Sequence, residues 1–216
     1  MIAAPFADKI GPREPTMSRA LQLLDEREGQ IIVETGCARF DDEWAGDGMS
    51  TVIFGTWAKE HGAVVFSVDV DPVNVHNATN LTAHLPVTVV HDDSVHYLSE
   101  FKRPIDLLYL DSMDYPLADL VNLYGTLDKF PETVRLLKHL GDEYLVGHHG
   151  EVIEDSQNHA RKEIETALPL LHDRSIVLID DANLPGGGKA RLARKVLVRE
   201  GWECLMDEYQ TLWVKP

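Results

Sequence analysis

The chain has 216 residues, of which 36 are Asp or Glu and 20 are Lys or Arg, for a formal net charge of −16 with His neutral. That charge opposes a nucleic-acid partner, whose phosphates would meet a repulsive field, and 44% hydrophobic residues exclude a disordered chain. No apolar run approaches the ~18 residues that cross a bilayer, and Met1–Pro15 lacks a secretory core segment. Two cysteines, Cys37 and Cys204, cannot form a disulfide framework, and free thiols fit a reducing compartment. The expectation is one acidic, cytoplasmic domain over residues 1–216, without membrane or nucleic-acid partner and with homo-oligomer assembly left open.

In chain order, Thr16–Glu28 places apolar residues at Met17, Ala20, Leu21 and Leu24 and predicts a helix stopped by Gly29. Gln30–Thr35 reads as the first strand, Ser50–His61 as a helix ending at Gly62, and Ala63–Val70 as the second strand. Pro72–His84 opens with a first-turn proline, Val87–His91 is the third strand, Ser94–Glu100 a short helix and Ile105–Asp111 the fourth strand. After an insert, Ser112–Ser156, come the helix Gln157–Leu168, the strand Ser175–Asp180 and the basic amphipathic helix Lys189–Glu200. Trp202–Met206 and Thr211–Lys215 close the chain as a hairpin. The first five strands are rich in Val, Ile and Leu without polar alternation, as in a parallel sheet buried on both faces. Such alternation of strands and helices specifies an α/β, doubly wound, Rossmann-like sheet.

Ligands in open parallel sheets bind beyond the carboxyl ends of the strands. The first strand leads into Glu34-Thr35-Gly36-Cys37 and then Gly46-Asp47-Gly48-Met49-Ser50, and the second ends at Asp69. The third leads into Asp92-Asp93-Ser94, the fourth ends Asp111-Ser112 and the fifth Asp180-Asp181. Asp is common at strand ends as a turn former or helix cap. Acids at four successive tips favour a functional reading. No Gly-x-Gly-x-x-Gly follows the first strand, which opposes a nicotinamide site, and Gly186-Gly187-Gly188-Lys189 lacks the spacing of a phosphate loop and reads as a flexible turn.

On these residues the sequence resembles the class I S-adenosylmethionine-dependent methyltransferases from Thr16 to Pro216. Glu34-Thr35-Gly36 matches the acidic first-strand motif, Asp69 the acid on the ribose hydroxyls, Asp93-Ser94 the pair bordering the adenine, and Arg199–Glu203 the closing turn. The resemblance implies a seven-stranded sheet in the order 3-2-1-4-5-7-6 with strand seven antiparallel. It also implies S-adenosylmethionine as cofactor, bound by Glu34, Gly36, Ser50, Asp69, Asp93, Ser94 and Asp111. The family keeps its two glycines close, whereas Gly36 and Gly48 stand twelve apart here.

Asp111 with Asp180 and Asp181 further resembles the divalent-metal site of catechol-type and macrocin-type O-methyltransferases, which implies Mg²⁺ on these three acids and a small hydroxylated acceptor such as a sugar or natural product. A hard cation held by carboxylates would lower the pKa of a coordinated hydroxyl. The alternative for Asp180 and Asp181 is helix capping or contact with the cofactor's amine end. Those enzymes carry a Lys three residues after the strand-four Asp, where this chain has Asp114. A base would then come from His148 or His149 in the insert, from His159 in the next helix, or from Asp111. Tyr115, Tyr124 and Tyr144 either line an acceptor pocket or pack internally. The competing functions are a catalytically silent binding module and a metal-dependent hydrolase.

Overall fold

The strand β1 (Ile31–Thr35) is buried at every position, as a strand covered by helices on both faces must be. It pairs in parallel with β2 (Val64–Asp69) on one side and β4 (Ile105–Leu110) on the other. β3 (Val87–His91) extends the sheet beside β2, and β5 (Leu171–Ile179) beside β4, again in parallel. Beyond β5 the direction reverses: β7 (Thr211–Val214) is antiparallel both to β5 and to the edge strand β6 (Glu203–Asp207). The order is β3-β2-β1-β4-β5-β7-β6, as expected. The computed structural model describes residues 4–42, 44, 49–115 and 151–216. His148, His149, Tyr124, Tyr144, Gly46, Asp47 and Gly48 lie outside the described residues.

Successive side chains of a strand point to opposite faces, and two apolar layers result. On one face α1 (Glu14–Glu26) and α2 (Ser50–His61) bring Met17, Leu21, Leu24, Ile53, Phe54 and Trp57 against Ile32, Val65, Leu107, Tyr109 and Leu178. α3 (Pro72–Leu81) and α4 (Ser94–Glu100) follow β2 and β3; each starts on an aspartate, Asp71 accepting from the Val73 N–H and Asp93 from the His96 N–H. On the other face α5 (residues 151–167) and α6 (Ala190–Arg199) set Ala160, Ile164, Ala167, Ala193, Val196 and Leu197 against Val33, Leu108, Leu110, Val177, Ile179 and Trp213.

Four expectations shift. α1 begins at Glu14, where Pro15 fits the first turn. The left-handed residue after it is Glu28, at φ 55°, rather than Gly29; a side chain on Gly29 would instead meet Leu24. α5 starts at least six residues before Gln157, because Ile153 and Ser156 are already buried. β5 starts at Leu171, paired with Ile105 across a register shift that the Ser175 hydroxyl bridges by donating to the Ile105 carbonyl at 2.6 Å. Among the described residues no helix is long and apolar enough to cross a membrane.

Candidate functional site

At the carboxyl ends of β2 and β3 lies a cavity of about 270 Å³ lined by Val68, Asp69, Val70, Asp93, Ser94, Ser112, Met113 and His159. Asp69 is oriented by the backbone around it. Its Oδ1 accepts from the Asp71 N–H at 2.8 Å, and its Oδ2 from the Cys37 N–H at 3.2 Å and from Asn74 at 3.4 Å. Asp93 combines its capping of α4 with a place in the cavity wall. His159, reaching in from α5, shares a hydrogen bond of 2.9 Å with Ser94 and lies 3.5 Å from Glu163. The Glu163 carboxyl pulls the imidazole pKa up, against the opposing effect of burial. Three expected cofactor residues, Asp69, Asp93 and Ser94, thus share one cavity with a histidine from a distant helix.

Glu34 and Ser50 are placed differently. Both are buried, and Glu34 accepts hydrogen bonds from the hydroxyls of Ser50 and Ser67, each at 2.5 Å. Burial pushes the Glu34 carboxyl up to about 7 in spite of those hydroxyls. The pair braces β1 against the start of α2 and against β2. Gly36, at φ 84°, follows; a Cβ there would lie 2.3 Å from the Asp111 carbonyl, so only glycine lets the turn after β1 pass the tip of β4. Asp114 is tied by a two-point contact to Arg39, which bridges the loops after β1 and β4. Tyr115 is buried, at 2% exposure.

Asp111, Asp180 and Asp181 converge at the tips of β4 and β5, with one carboxylate oxygen of each within 4.8 Å of the others. Two buried cations stand among them. The Lys189 Nζ donates to Asp111 Oδ1 at 2.6 Å and lies 3.3 Å from Asp181 Oδ2, while the Arg13 Nε donates to Asp180 Oδ2 at 2.9 Å. The Tyr209 hydroxyl donates to Asp181 Oδ1 at 2.6 Å. Burial pushes the carboxyls of Asp111 and Asp181 up, against the pull of Lys189. At Asp180 the effect of burial is outweighed by Arg13 and Lys189, and its carboxyl is held low. Asp111 alone of the three keeps appreciable exposure, 21% of its side chain against none for Asp180.

Residues 45–140 match the family described as a methyltransferase domain. No curated protein matches the sequence. Among solved structures, the SAH-bound methyltransferase PaMTH1 of Podospora anserina superposes with a TM-score of 0.58 at 13% identity, over 98% of this chain and 82% of its own. The N-methyltransferase NodS of Bradyrhizobium japonicum WM9 gives 0.50 at 13% identity, over 100% and 99%. An rRNA methylase of Streptococcus thermophilus gives 0.50 at 11% identity, over 94% and 96%. At these identities the likeness is one of fold.

The cavity pairs the Asp69 carboxylate, which can accept from hydroxyl donors, with apolar surface from Val68, Val70 and Met113. At about 270 Å³ it falls just below the roughly 300–1,000 Å³ of a drug-sized ligand site. The acid cluster does not suit Mg²⁺ in this arrangement. An ion among those oxygens would sit beside the Lys189 ammonium, and two unit charges 4 Å apart already repel by about 4 kcal/mol at an effective dielectric of 20. The sequence reading missed both cations. Gly186-Gly187-Gly188-Lys189 is no flexible turn: Gln157 donates to the carbonyls of Gly186 and Gly188 at 3.0 Å each, and Lys189 is 2% exposed. A lysine beside an Asp-Asp pair and a glycine run was a usable signal. Arg13, 167 residues from its partner, gave none.

Proposed function

We propose that the chain transfers a methyl group from S-adenosylmethionine to an oxygen of a small hydroxylated acceptor, such as a sugar or natural product. The observation that carries this reading is Asp69, held by backbone donors at the mouth of a cavity that Asp93 and Ser94 also line. When bound, the cofactor supplies an electrophilic methyl group on a sulfonium centre. Asp69 accepts the ribose hydroxyls, and Asp93 with Ser94 borders the adenine. Gly36 sets the height of the β1 turn beside Asp111, where the methionine end would lie, and Glu34 with Ser50 holds that turn from beneath. Fixing donor and acceptor in line is the main contribution the protein makes to such a displacement.

The acceptor hydroxyl must lose a proton. Asp111, the partly exposed member of its cluster, and His159, which lines the cavity, are the described candidates to take it; His148 and His149 of the insert are the others. No metal step enters, because Lys189 and Arg13 already engage an oxygen of each of the three acids. The rRNA methylase neighbour shows that this fold also serves nucleic-acid methylation, so the preference for a small acceptor rests on the net charge of −16.

Calorimetry with S-adenosylmethionine and its demethylated product, followed by mass spectrometry of sugars, phenols and RNA oligonucleotides incubated with the protein, tests the reading. The expected result is cofactor binding and a mass gain of one methylene on a hydroxylated small molecule. Cofactor binding without transfer would favour the silent module, hydrolysis without cofactor binding the hydrolase, and methylated RNA would overturn the acceptor assignment.

A further inference from the structure

We infer that Lys189 is the resident cation of the methyltransferase site, standing where the metal-dependent O-methyltransferases that the sequence resembles hold a divalent ion, and that it positions Asp111 for the reaction. The inference rests on the methyltransferase reading for its role, though the cation's occupancy of the cluster does not.

The loop that follows β5 is built to deliver this side chain. Asp181 adopts a left-handed conformation, at φ 47°, and its carbonyl accepts the Lys189 N–H at 2.9 Å. Gly188, at φ 59°, presses so close that a Cβ there would lie 2.2 Å from the Asp181 carbonyl and 2.3 Å from that of Ala182. Only glycine permits this return. Gln157 of α5 locks the loop from the other side through two carbonyls. A surface lysine needs no such scaffold. The result is an ammonium at 2% exposure, bonded to an oxygen of Asp111 and close to one of Asp181.

Arg13 completes the arrangement. The turn Gly11–Arg13 carries it into the sheet end, where it and Asp180 are both buried. The named contacts engage both oxygens of Asp181 and one each of Asp111 and Asp180. Buried carboxylates are retained when paired with hydrogen-bonded cations, and here the chain provides those cations itself. A divalent ion would have to expel Lys189 from a closed site. Through Asp111 the lysine also fixes the β4 tip that Gly36 crosses, so it acts as a positioning residue.

The test is Mn²⁺ binding followed by electron paramagnetic resonance of the free ion, on the full chain. Wild type should leave one equivalent of Mn²⁺ free at concentrations up to the millimolar range, while Lys189→Ala should gain at least tenfold in Mn²⁺ affinity and in Mn²⁺-dependent rise of its thermal midpoint. Lys189→Arg should behave as wild type in both. A lysine with a merely structural role would give no gain of metal affinity. Stoichiometric Mn²⁺ binding by wild type that disappears in Asp180→Asn would overturn the inference, and needs no folded Lys189 variant to be seen; binding that persists in Asp180→Asn lies elsewhere on this acidic surface and supports it. Where a methyl acceptor is in hand, transfer by wild type should be unchanged in excess chelator, and loss of transfer there would also overturn it. Cofactor calorimetry on the same samples separates the two proposals: absence of S-adenosylmethionine binding removes the methyltransferase reading while the Mn²⁺ result still decides the cation.

Discussion

The aspartates at the tips of β2 and β3 and those at the tips of β4 and β5 occupy equivalent positions in the sequence pattern, yet meet opposite surroundings. Asp69 and Asp93 are held by backbone N–H groups and border an open cavity. Asp180 and Asp181 are enclosed, and with Asp111 they meet a lysine and an arginine. A carboxylate held by neutral donors keeps its charge to offer a ligand, whereas one matched to a buried cation has already used it. Strand-tip acids are therefore not one class of site.

The largest expected effect is on the closed side. Arg13→Ala leaves Asp180 buried without its partner, and loss of one member of such a pair costs about 3–5 kcal/mol; chemical denaturation should show a drop of that size, and a change below about 1 kcal/mol would mean the pair is not buried in solution. Next is Glu34, beneath the open side. Its carboxyl sits near 7 in the fold against an ordinary 4.5, so the protonated form is favoured on folding. That contribution is whole below about pH 4.5 and is lost as the pH rises through 7, a change of about 3 kcal/mol. Glu34→Gln should flatten this part of the stability profile measured against pH; an unaltered slope would show that Glu34 ionises freely.

On the open side Asp69→Asn should weaken binding of S-adenosylmethionine about tenfold, the equivalent of one charge-assisted hydrogen bond of roughly 1.5 kcal/mol. Because Asp69 also accepts the N–H groups of Cys37 and Asp71, Asp69→Ala should in addition lower stability by about 1 kcal/mol. Equal cofactor affinity in wild type and Asp69→Asn, measured by calorimetry, would remove the diol assignment. The smallest effect belongs to His159, which lines the cavity and shares a hydrogen bond with Ser94: His159→Ala should change the same affinity only a few-fold, in keeping with one hydrogen bond of about 1 kcal/mol.

Much of the molecule was legible in the amino-acid order. Ile31–Val33, Leu107–Leu110 and Ile176–Ile179 read as buried strands because each strand is covered on both faces, so no polar alternation survives. Asp71 and Asp93 cap α3 and α4 for a reason that is also local: a short acceptor side chain next to a helix start has its donors two or three residues away. The acids at the strand tips, and their separation into a ribose end and a β4–β5 end, could also be placed from sequence once the strands were assigned. Their environments could not. Ser50 was expected at the cofactor and instead turns inward to Glu34, a choice set by which face of the first turn of α2 meets β1 and β2.

Local order along the chain determined which residues stand at the ends of the strands, since strand, helix and cap are decided by neighbours within a few positions. Only the tertiary structure decided which of those acids are matched by cations. Lys189 returns to Asp181 across a glycine turn, Arg13 comes from the other end of the chain, and His159 arrives from α5. Charge compensation acts through space over a few ångströms, and the sequence separation of 167 residues between Arg13 and Asp180 carries no trace of it.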